Sequence, residues 1–369
     1  RSSCINCKGK CKMALEKNNF KIGIVTFFYA NNYGGVLQAY ALQKFLRNNG
    51  YESEFVNYLP DEDLSLKQRI KKIVNILLGK KAKRNKFNEI FKKFITENLA
   101  LGQKVYTQEK LSQTKYDLLI ASSDQIWNTK LNKEHTAYFL LSFGNSNTKK
   151  ISYASCIGQP EQIEKFEHLF ENELKHFDKV SVRNDFSKNF VNCYGVDSFV
   201  ACDPTLLIDF DGFDEEYKLP YQNYILVYSL NMSLDSLLND ALKQMQNKYN
   251  LPIVVLNSKY KAKVHLEHLA INDATPNQWV WLFKNASYVL TDSFHGVIFS
   301  MKYEKDFLAI HGNDWRSYRL LDTVKRYGCE YKYISDEYES DETTSKLDYD
   351  VDNKFVEEQE EKKESKPGK

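Results

Sequence analysis

The chain holds 369 residues, more than a single hydrophobic core usually organises, so we expect two domains. Hydrophobic residues make up 42% and aromatic residues 14% of the sequence, which is typical of a folded globular protein and excludes a disordered chain. With 51 Lys and Arg against 49 Asp and Glu, the net charge of +2 gives no general attraction to nucleic acid or to an anionic membrane. Any affinity for an anion must therefore be local.

The sequence has no run of apolar residues long enough to span a membrane, and its first ten residues lack the apolar core of a secretory signal. We therefore expect a cytoplasmic protein, with membrane contact limited to peripheral association. The odd number of cysteines and their scatter along the chain indicate reduced thiols. Cys4, Cys7 and Cys11 have the spacing C-x2-C-x3-C, which lacks the fourth ligand of a zinc or iron–sulfur site. We interpret residues 1–20 as a polar tail, with metal binding as the alternative.

The N-terminal half opens with a β-α-β pattern, the repeating unit of parallel α/β sheets. Residues 21–28 (KIGIVTFF) predict a strand, the sequence from Val36 to Gly50 predicts a helix, and residues 52–59 alternate as a strand. Between 62 and 98, apolar residues at helical spacing predict two amphipathic helices whose lysines form a solvated face.

Further apolar runs predict strands beginning near Tyr116, Lys149, Lys179 and Ser198, with a helix from about Glu161 to Phe177. The acidic, turn-rich stretch after Asp209 predicts a domain boundary, which gives domains at 21–210 and 222–335. The second domain repeats the strand–helix pattern, with predicted strands at 224–230, 252–257, 287–292 and 306–310 and predicted helices at Leu234–Tyr249, 275–286 and 293–303. Residues 336–369 predict a charged tail with a surface helix near 351–361.

Two α/β domains in tandem leave a cleft between them, and ligands of open parallel sheets bind at the carboxyl ends of the strands. In the segment VLTDSFHG, Asp292 and Ser293 can cap the first amides of a helix, and His295 lies in its first turn. Free amides and the positive end of the helix dipole make such a terminus an anion site, and Gly296 keeps it uncrowded. The alternative is that His295 only packs the strand–helix junction.

Other predicted strands also end in residues suited to ligand binding. The segment ANNYGG places Asn31, Asn32 and the glycines Gly34 and Gly35 before a helix, which allows close approach of a ligand to the backbone, although a dinucleotide fingerprint is absent. Ser123 and Asp124 follow a buried strand in ASSDQIWN, and Arg183 follows KVSV, where a guanidinium can meet a carboxylate or phosphate. Asp203, near the end of FVACDP, is a further candidate at a strand end, and the alternative for each of these residues is a capping or turn role.

Several of these segments together resemble the signature segments of the polysaccharide pyruvyl transferase family. In chain order they are FFYANNYGGVLQAYALQKFL, SSDQIWN, ISYASCIG, SVRN, CDPTLLI and TDSFHGVIFSMKYEKDF. Arg316 and Arg319, in DWRSYRLLDTVKRYG, look like the arginines of the final segment of that family. The resemblance covers residues 21 to about 335.

The resemblance implies two Rossmann-like domains facing across a cleft, as in glycosyltransferase-B enzymes, with the acceptor on the N-terminal and the donor on the C-terminal side. It also implies phosphoenolpyruvate as donor substrate, with no cofactor, and a sugar or lipid-linked oligosaccharide acceptor in bacterial exopolysaccharide or cell-wall glycan biosynthesis. By motif, His295, Ser293 and Arg183 are the expected donor contacts. The Ser-Phe-His form differs from that of members with arginine in this segment, and Arg319 is the candidate replacement cation. A homo-oligomer is compatible with this assignment.

In this mechanism Arg183 would hold the donor carboxylate, and His295 with the amides from Ser293 to Gly296 would hold the phosphate or protonate it as it leaves. Asp124 is the candidate general base, and no metal is expected. The alternatives are a nucleotide-sugar-dependent glycosyltransferase on the same fold and a non-catalytic ligand-binding relative. Because Arg183 and His295 follow strand ends, we also expect their removal to leave stability nearly unchanged.

Overall fold

The computed structural model describes residues 20–59, 86–158, 163–312, 315–329 and 333–335. Their strands form two six-stranded sheets in which every pairing between strands is parallel. The predicted C-terminal tail, the N-terminal cysteines and the first of the two lysine-rich helices lie outside the described residues.

The first sheet has the strand order β2-β1-β3-β4-β5-β6. Its strands are β1 Ile22–Val25, β2 Ser53–Phe55, β3 Leu118–Ala121, β4 Lys149–Ser155, β5 Lys179–Val182 and β6 Ser198–Val200. The helices of this half are α1 Tyr33–Asn48, α2 Lys86–Asn98, α3 Gln108–Ser112, α4 Thr129–Asn132, α5 Thr136–Phe139, α6 Glu167–Leu174 and α7 Asp185–Cys193. Helix α2 confirms the second lysine-rich helix.

Two sequence-based boundaries in this half are wrong. The first helix begins at Tyr33 instead of Val36, because the side chain of Asn32 accepts a hydrogen bond from the Gly34 amide and caps the helix there. The helix predicted from Glu161 to Phe177 is shorter, because a 3-10 turn at Ile163–Phe166 precedes α6.

The second sheet has the order β12-β11-β10-β7-β8-β9. Its strands are β7 Ile225–Tyr228, β8 Ile253–Leu256, β9 Leu269–Ile271, β10 Tyr288–Thr291, β11 Asp306–His311 and β12 Tyr333–Ser335, and the helices are α8 Asp235–Tyr249, α9 Pro276–Asn285, α10 Phe294–Lys302 and α11 Trp315–Arg326. The sequence pattern missed β9 and β12, which have three residues each and, unlike the equally short β2 and β6, are not part of a longer run that predicts a strand.

Each sheet has one place where the strand order reverses direction, which is where ligands of open α/β sheets bind. In the first sheet this switch point lies between β1 and β3, and in the second it lies between β7 and β10. The Asn32–Gly34 turn and Ser123 follow the first pair of strands, and His295 follows β10. Both domains are therefore Rossmann-like in topology, as expected for a glycosyltransferase-B fold, and their switch points carry the predicted motifs.

The two domains share a hydrophobic core. Tyr33 on α1 stacks on Trp279 of α9, with ring centroids 5.8 Å apart, and also meets Tyr228 at the end of β7. The hydroxyl of Tyr33 donates a hydrogen bond of 2.7 Å to the carbonyl of Ala274 in the second domain. Because these side chains are fully or almost fully buried, the interface resembles a domain interior more than a wet, mobile contact.

Candidate active site

The imidazole of His295 lies directly against the first turn of α1. Ser293 caps α10, since its hydroxyl oxygen accepts a hydrogen bond of 3.3 Å from the Gly296 amide, and this cap places His295 in the first turn of that helix. A methyl group built on Gly34 would lie 2.0 Å from His295 Nδ1. The space that the glycine leaves is therefore filled by the histidine of the other domain.

A buried carboxylate, Asp203, connects the two domains at this point. Its Oδ2 atom accepts a hydrogen bond of 3.1 Å from Ser123 Oγ and lies 3.3 Å from Arg183 Nη1 and 3.5 Å from His295 Nε2. Its Oδ1 atom accepts hydrogen bonds from the amide and the hydroxyl of Thr205, at 3.1 and 2.8 Å. Arg183 follows β5 of the first sheet and His295 follows β10 of the second. Asp203 therefore lies between the two side chains that were predicted to contact the donor substrate.

Asp203 keeps its negative charge in this environment. Burial by itself raises the pKa of the carboxyl, but the charge and hydrogen bonding of His295 and the charge of Arg183 outweigh burial and hold the pKa well below its ordinary value. From the sequence, Asp203 was one of several polar residues at strand ends, within the family segment CDPTLLI, and had no assigned role in the reaction. The signal that could have identified it is its position directly after a strand of the same sheet that carries Arg183.

Arg183 is buried, contrary to expectation, and its guanidinium lies 4.2 Å from the ring centroid of Phe294 on α10. Its Nη2 atom is 3.6 Å from Asp124 Oδ1, and its surroundings also include the thiol of Cys156. Burial lowers the pKa of Arg183, but Cys156, Asp124 and Asp203 together raise it above its ordinary value. The guanidinium is therefore a permanent cation between the two domains.

Among the described residues, Arg183 Nη2 is a buried donor that makes no hydrogen bond, and the nearest acceptor to His295 Nε2 is Asp203 Oδ2, at a long 3.5 Å. Leaving such a group unsatisfied costs about 1–3 kcal/mol, and more where it is charged, and a bound ligand is one way to satisfy it. The two groups come from opposite domains, and each is an N–H donor. The arrangement fits an anion with two acceptor groups.

Asp124, the predicted general base, lies beside Arg183 and has an unusual backbone. Its φ of 75° is in the left-handed region, which residues other than glycine seldom adopt. The backbone amide of Gln125 donates to its Oδ1 at 2.8 Å, and its side chain is 15% exposed. The carboxylate is thus held at the edge of the arginine site, where it can reach solvent.

The remaining predicted site residues occupy less central positions. Asn31 is exposed and donates to Asn88 on α2, away from His295. Asp292 was expected to cap α10 together with Ser293, but its carboxylate accepts hydrogen bonds from the loop after β7, from Ser229, Leu230 and Asn231.

The predicted glycines differ in their surroundings. A methyl group on Gly35 would lie no closer than 3.6 Å to any atom beyond its chain neighbours and its own helix backbone, whereas one on Gly296 would lie 2.3 Å from Thr291 Oγ1. Gly296 therefore allows α10 to pack on the end of β10. Arg319 belongs to α11, and its side chain lies outside what the structure describes.

A cleft of about 230 Å³, open to solvent, adjoins Arg183 and Asp203. The first domain contributes these two residues and Cys202, and the second contributes Phe294, Thr323 and Arg326. Among the described residues, no group of three or more His, Cys, Asp and Glu side chains is arranged to hold a metal ion. No described helix is long and apolar enough to cross a membrane.

The family model for polysaccharide pyruvyl transferases matches residues 32–313, which is most of the chain and covers the larger part of each domain. The chain belongs to the polysaccharide pyruvyl transferase family. Within this family member, the matched range contains Arg183, Asp203 and His295. No curated protein matches the chain in sequence.

Solved structures similar to this pyruvyl transferase family member include a putative UDP-N-acetylglucosamine 2-epimerase from Listeria monocytogenes, with a TM-score of 0.47 and 13% identity over 82% of each chain. The ADP-heptose lipopolysaccharide heptosyltransferase II of E. coli has a TM-score of 0.40 and 9% identity over 86% of this chain and 90% of its own. A UDP-GlcNAc 2-epimerase from Methanocaldococcus jannaschii has a TM-score of 0.46 and 11% identity over 86% and 88%.

Proposed function

We propose that this protein transfers pyruvate from phosphoenolpyruvate to a sugar, or to a lipid-linked oligosaccharide, and forms a ketal during the synthesis of a bacterial cell-surface glycan. The observation that carries the proposal is the meeting of two buried side chains from opposite domains, Arg183 and His295, on either side of Asp203, with Arg183 Nη2 making no hydrogen bond within the described residues. Phosphoenolpyruvate has two anionic groups, a carboxylate and a phosphate, that suit such a pair. Family membership supports the same reaction class.

The reaction needs proton transfer and charge stabilisation, which these side chains can supply. A proton adds to C3 of phosphoenolpyruvate, and the first sugar hydroxyl forms a bond to C2 and loses its proton. The bond from C2 to the phosphate oxygen then breaks, and the second hydroxyl attacks C2 and loses its proton, which closes the ketal. Of the two protons lost, one balances the proton added to C3 and the other leaves with inorganic phosphate.

Arg183 is suited to the donor carboxylate, because its permanent charge is desolvated and a buried charge-assisted hydrogen bond is strong. His295 and the first amides of α10 are suited to the departing phosphate. Within that turn the Ser293 amide already donates to Thr291 Oγ1 and the Gly296 amide to Ser293 Oγ, so the anion site narrows to the amides of Phe294 and His295. Asp124 is the candidate base for a sugar hydroxyl.

The test is to incubate the purified protein with phosphoenolpyruvate and a panel of nitrophenyl and lipid-linked sugars. We expect a pyruvyl adduct by mass spectrometry, with one phosphate released per adduct, and neither product with His295→Ala. Parallel reactions contain UDP- or ADP-sugars in place of phosphoenolpyruvate. Nucleotide release from these donors, with no pyruvyl adduct, would instead identify a glycosyltransferase. Thermal stabilisation by phosphoenolpyruvate without any product would identify a binding protein that does not catalyse transfer.

A further inference from the structure

Asp203 contacts residues of both domains. It follows β6 of the first domain, is 2% exposed, and directs one carboxylate oxygen at both Arg183 and His295. The resemblance to the family gave no role to this residue.

We propose that Asp203 is a positioning residue that fixes the orientation and the tautomer of His295 and holds Arg183 beside it. The consequence for turnover rests on the proposed function, whereas the consequence for the histidine ring does not. Because the carboxylate is charged, it can only accept hydrogen bonds, so the nitrogen of His295 that faces it must carry a proton. That nitrogen is Nε2, 3.5 Å from Asp203 Oδ2.

The carboxylate itself is fixed from the other side. The amide and the hydroxyl of Thr205 both donate to Oδ1, and Ser123 donates to Oδ2, so rotation of the carboxylate would break three hydrogen bonds. On the opposite edge of the imidazole, Nδ1 lies over Gly34, where no side chain would fit. The ring is thus held between a fixed acceptor and the backbone of the other domain.

Within the described part of the chain, four charged or titratable side chains surround Arg183 and take part in this cluster or face it: Asp203, His295, Asp124 and Cys156. Asp203 faces Arg183 and His295, and Arg183 in turn faces Asp124 and the thiol of Cys156. Among these side chains, Asp203 contacts both of the residues predicted to bind phosphoenolpyruvate, Arg183 and His295. Its loss should therefore affect both the histidine and the arginine.

The variant Asp203→Asn keeps the shape of the side chain but gives one of its two terminal atoms two N–H donors. If the amide nitrogen of the variant side chain faces Arg183 and His295, its N–H groups point at the N–H groups of those two side chains and no hydrogen bond can form. With the amide nitrogen toward Thr205, the hydrogen bonds that fix the side chain are lost. The first orientation removes the reason for a proton on Nε2 of His295, and the second leaves an amide oxygen that can accept from Nε2 but is no longer fixed by Thr205.

The experiment is a ¹⁵N spectrum of histidine-labelled protein, with the His295 signals identified by their absence in His295→Gln. We expect a proton on Nε2 in the wild type and a loss or redistribution of that proton in Asp203→Asn. The matched control is Asp178→Asn, because Asp178 is exposed, lies at the amino end of β5 while Arg183 follows its carboxyl end, and accepts a backbone hydrogen bond from Lys150. It should leave the His295 signals unchanged. An unprotonated Nε2 in the wild type, or identical spectra of the wild type and Asp203→Asn, would overturn the proposal.

Activity gives the second readout. Asp203→Asn should lower kcat on the order of 10–100-fold and raise the KM for phosphoenolpyruvate, as for other residues that orient a ligand-binding histidine. Asp178→Asn should retain wild-type values. If the wild type does not use phosphoenolpyruvate but shows the expected spectrum, the proposed function fails and the role of Asp203 stands. If the wild type turns over and Asp203→Asn keeps full kcat and KM, the role of Asp203 fails. Should Asp203→Asn not fold, the wild-type spectrum alone decides the proposal.

Discussion

The contact between Gly34 and His295 gives a sharp test of the active site. In Gly34→Ala, the new methyl carbon would lie 2.0 Å from Nδ1 and 2.4 Å from Cγ of the imidazole. Non-bonded heavy atoms need about 3.5 Å, so the ring would have to retreat by roughly 1.5 Å. A displacement of about 1 Å at a reacting group can cost on the order of 10² in rate. We therefore expect kcat of Gly34→Ala to fall on the order of 10²-fold or more.

The matched variant is Gly35→Ala, which adds the same methyl group one residue later in the same helical turn. Here the nearest atom beyond the chain neighbours and the helix backbone would lie 3.6 Å away, an ordinary contact. Each substitution should gain about 0.5–1 kcal/mol from the helix preference of alanine over glycine. In Gly34→Ala this gain is opposed by the displaced histidine, so only Gly35→Ala should be more stable than the wild type.

The assay measures kcat, the KM for phosphoenolpyruvate and the melting temperature of both variants under the same conditions. We expect a much larger loss of kcat in Gly34→Ala than in Gly35→Ala, without loss of the folded state in either. Equal kcat values for the two variants would show that the position of His295 against α1 does not matter for turnover. The argument that places His295 at the reacting groups would then be refuted.

Three further outcomes follow from buried groups at the domain interface. Arg183→Ala leaves the charge of Asp203 buried without its arginine and should cost about 3–5 kcal/mol in denaturant unfolding, and a cost near zero would contradict a buried pair. Because the folded pKa of Asp203 is lowered, its stabilisation is fully present above the unfolded value of about 3.9 and is lost as pH falls below it. As pH falls below about 4, the free energy of unfolding of Asp203→Asn should therefore decrease less steeply than that of the wild type. Tyr33→Phe should lower the free energy of unfolding by about 1–3 kcal/mol, because the carbonyl of Ala274 loses its hydrogen bond. Calorimetry of the wild type and of this variant should show one cooperative transition, whereas two separate transitions would argue against a shared core.

Local patterns in the sequence were sufficient for the fold class. Apolar runs of strand length such as ILVY in β7, alternating with amphipathic helices, predict parallel α/β sheets because the periodicity is local and reports burial directly. The cap at Ser293 was also legible, since it depends on residues within one turn. The first helix was placed too late because two glycines looked like a turn, although the asparagine before them starts the helix. Short strands such as β9 escaped detection because they are not part of a longer run that predicts a strand.

For the candidate site, the sequence predicted only which polar residues lie at the ends of strands. The sequence placed Arg183 and His295 at the ends of strands in different domains, and the order of the motifs indicated the family. It did not show that both are buried or that Asp203, one of several polar residues at strand ends, lies between them.

Nor did the sequence show that Gly34 leaves room for a histidine more than two hundred residues further along the chain. Secondary structure depends on neighbours within a few residues, so sequence alone determined the strands, the helices and the positions of the polar strand ends. Which of those ends meet is decided by sheet order and by the packing of one domain on the other. Only the tertiary structure therefore brings Asp203, Arg183 and His295 together, and their contacts keep the carboxylate charged although it is buried.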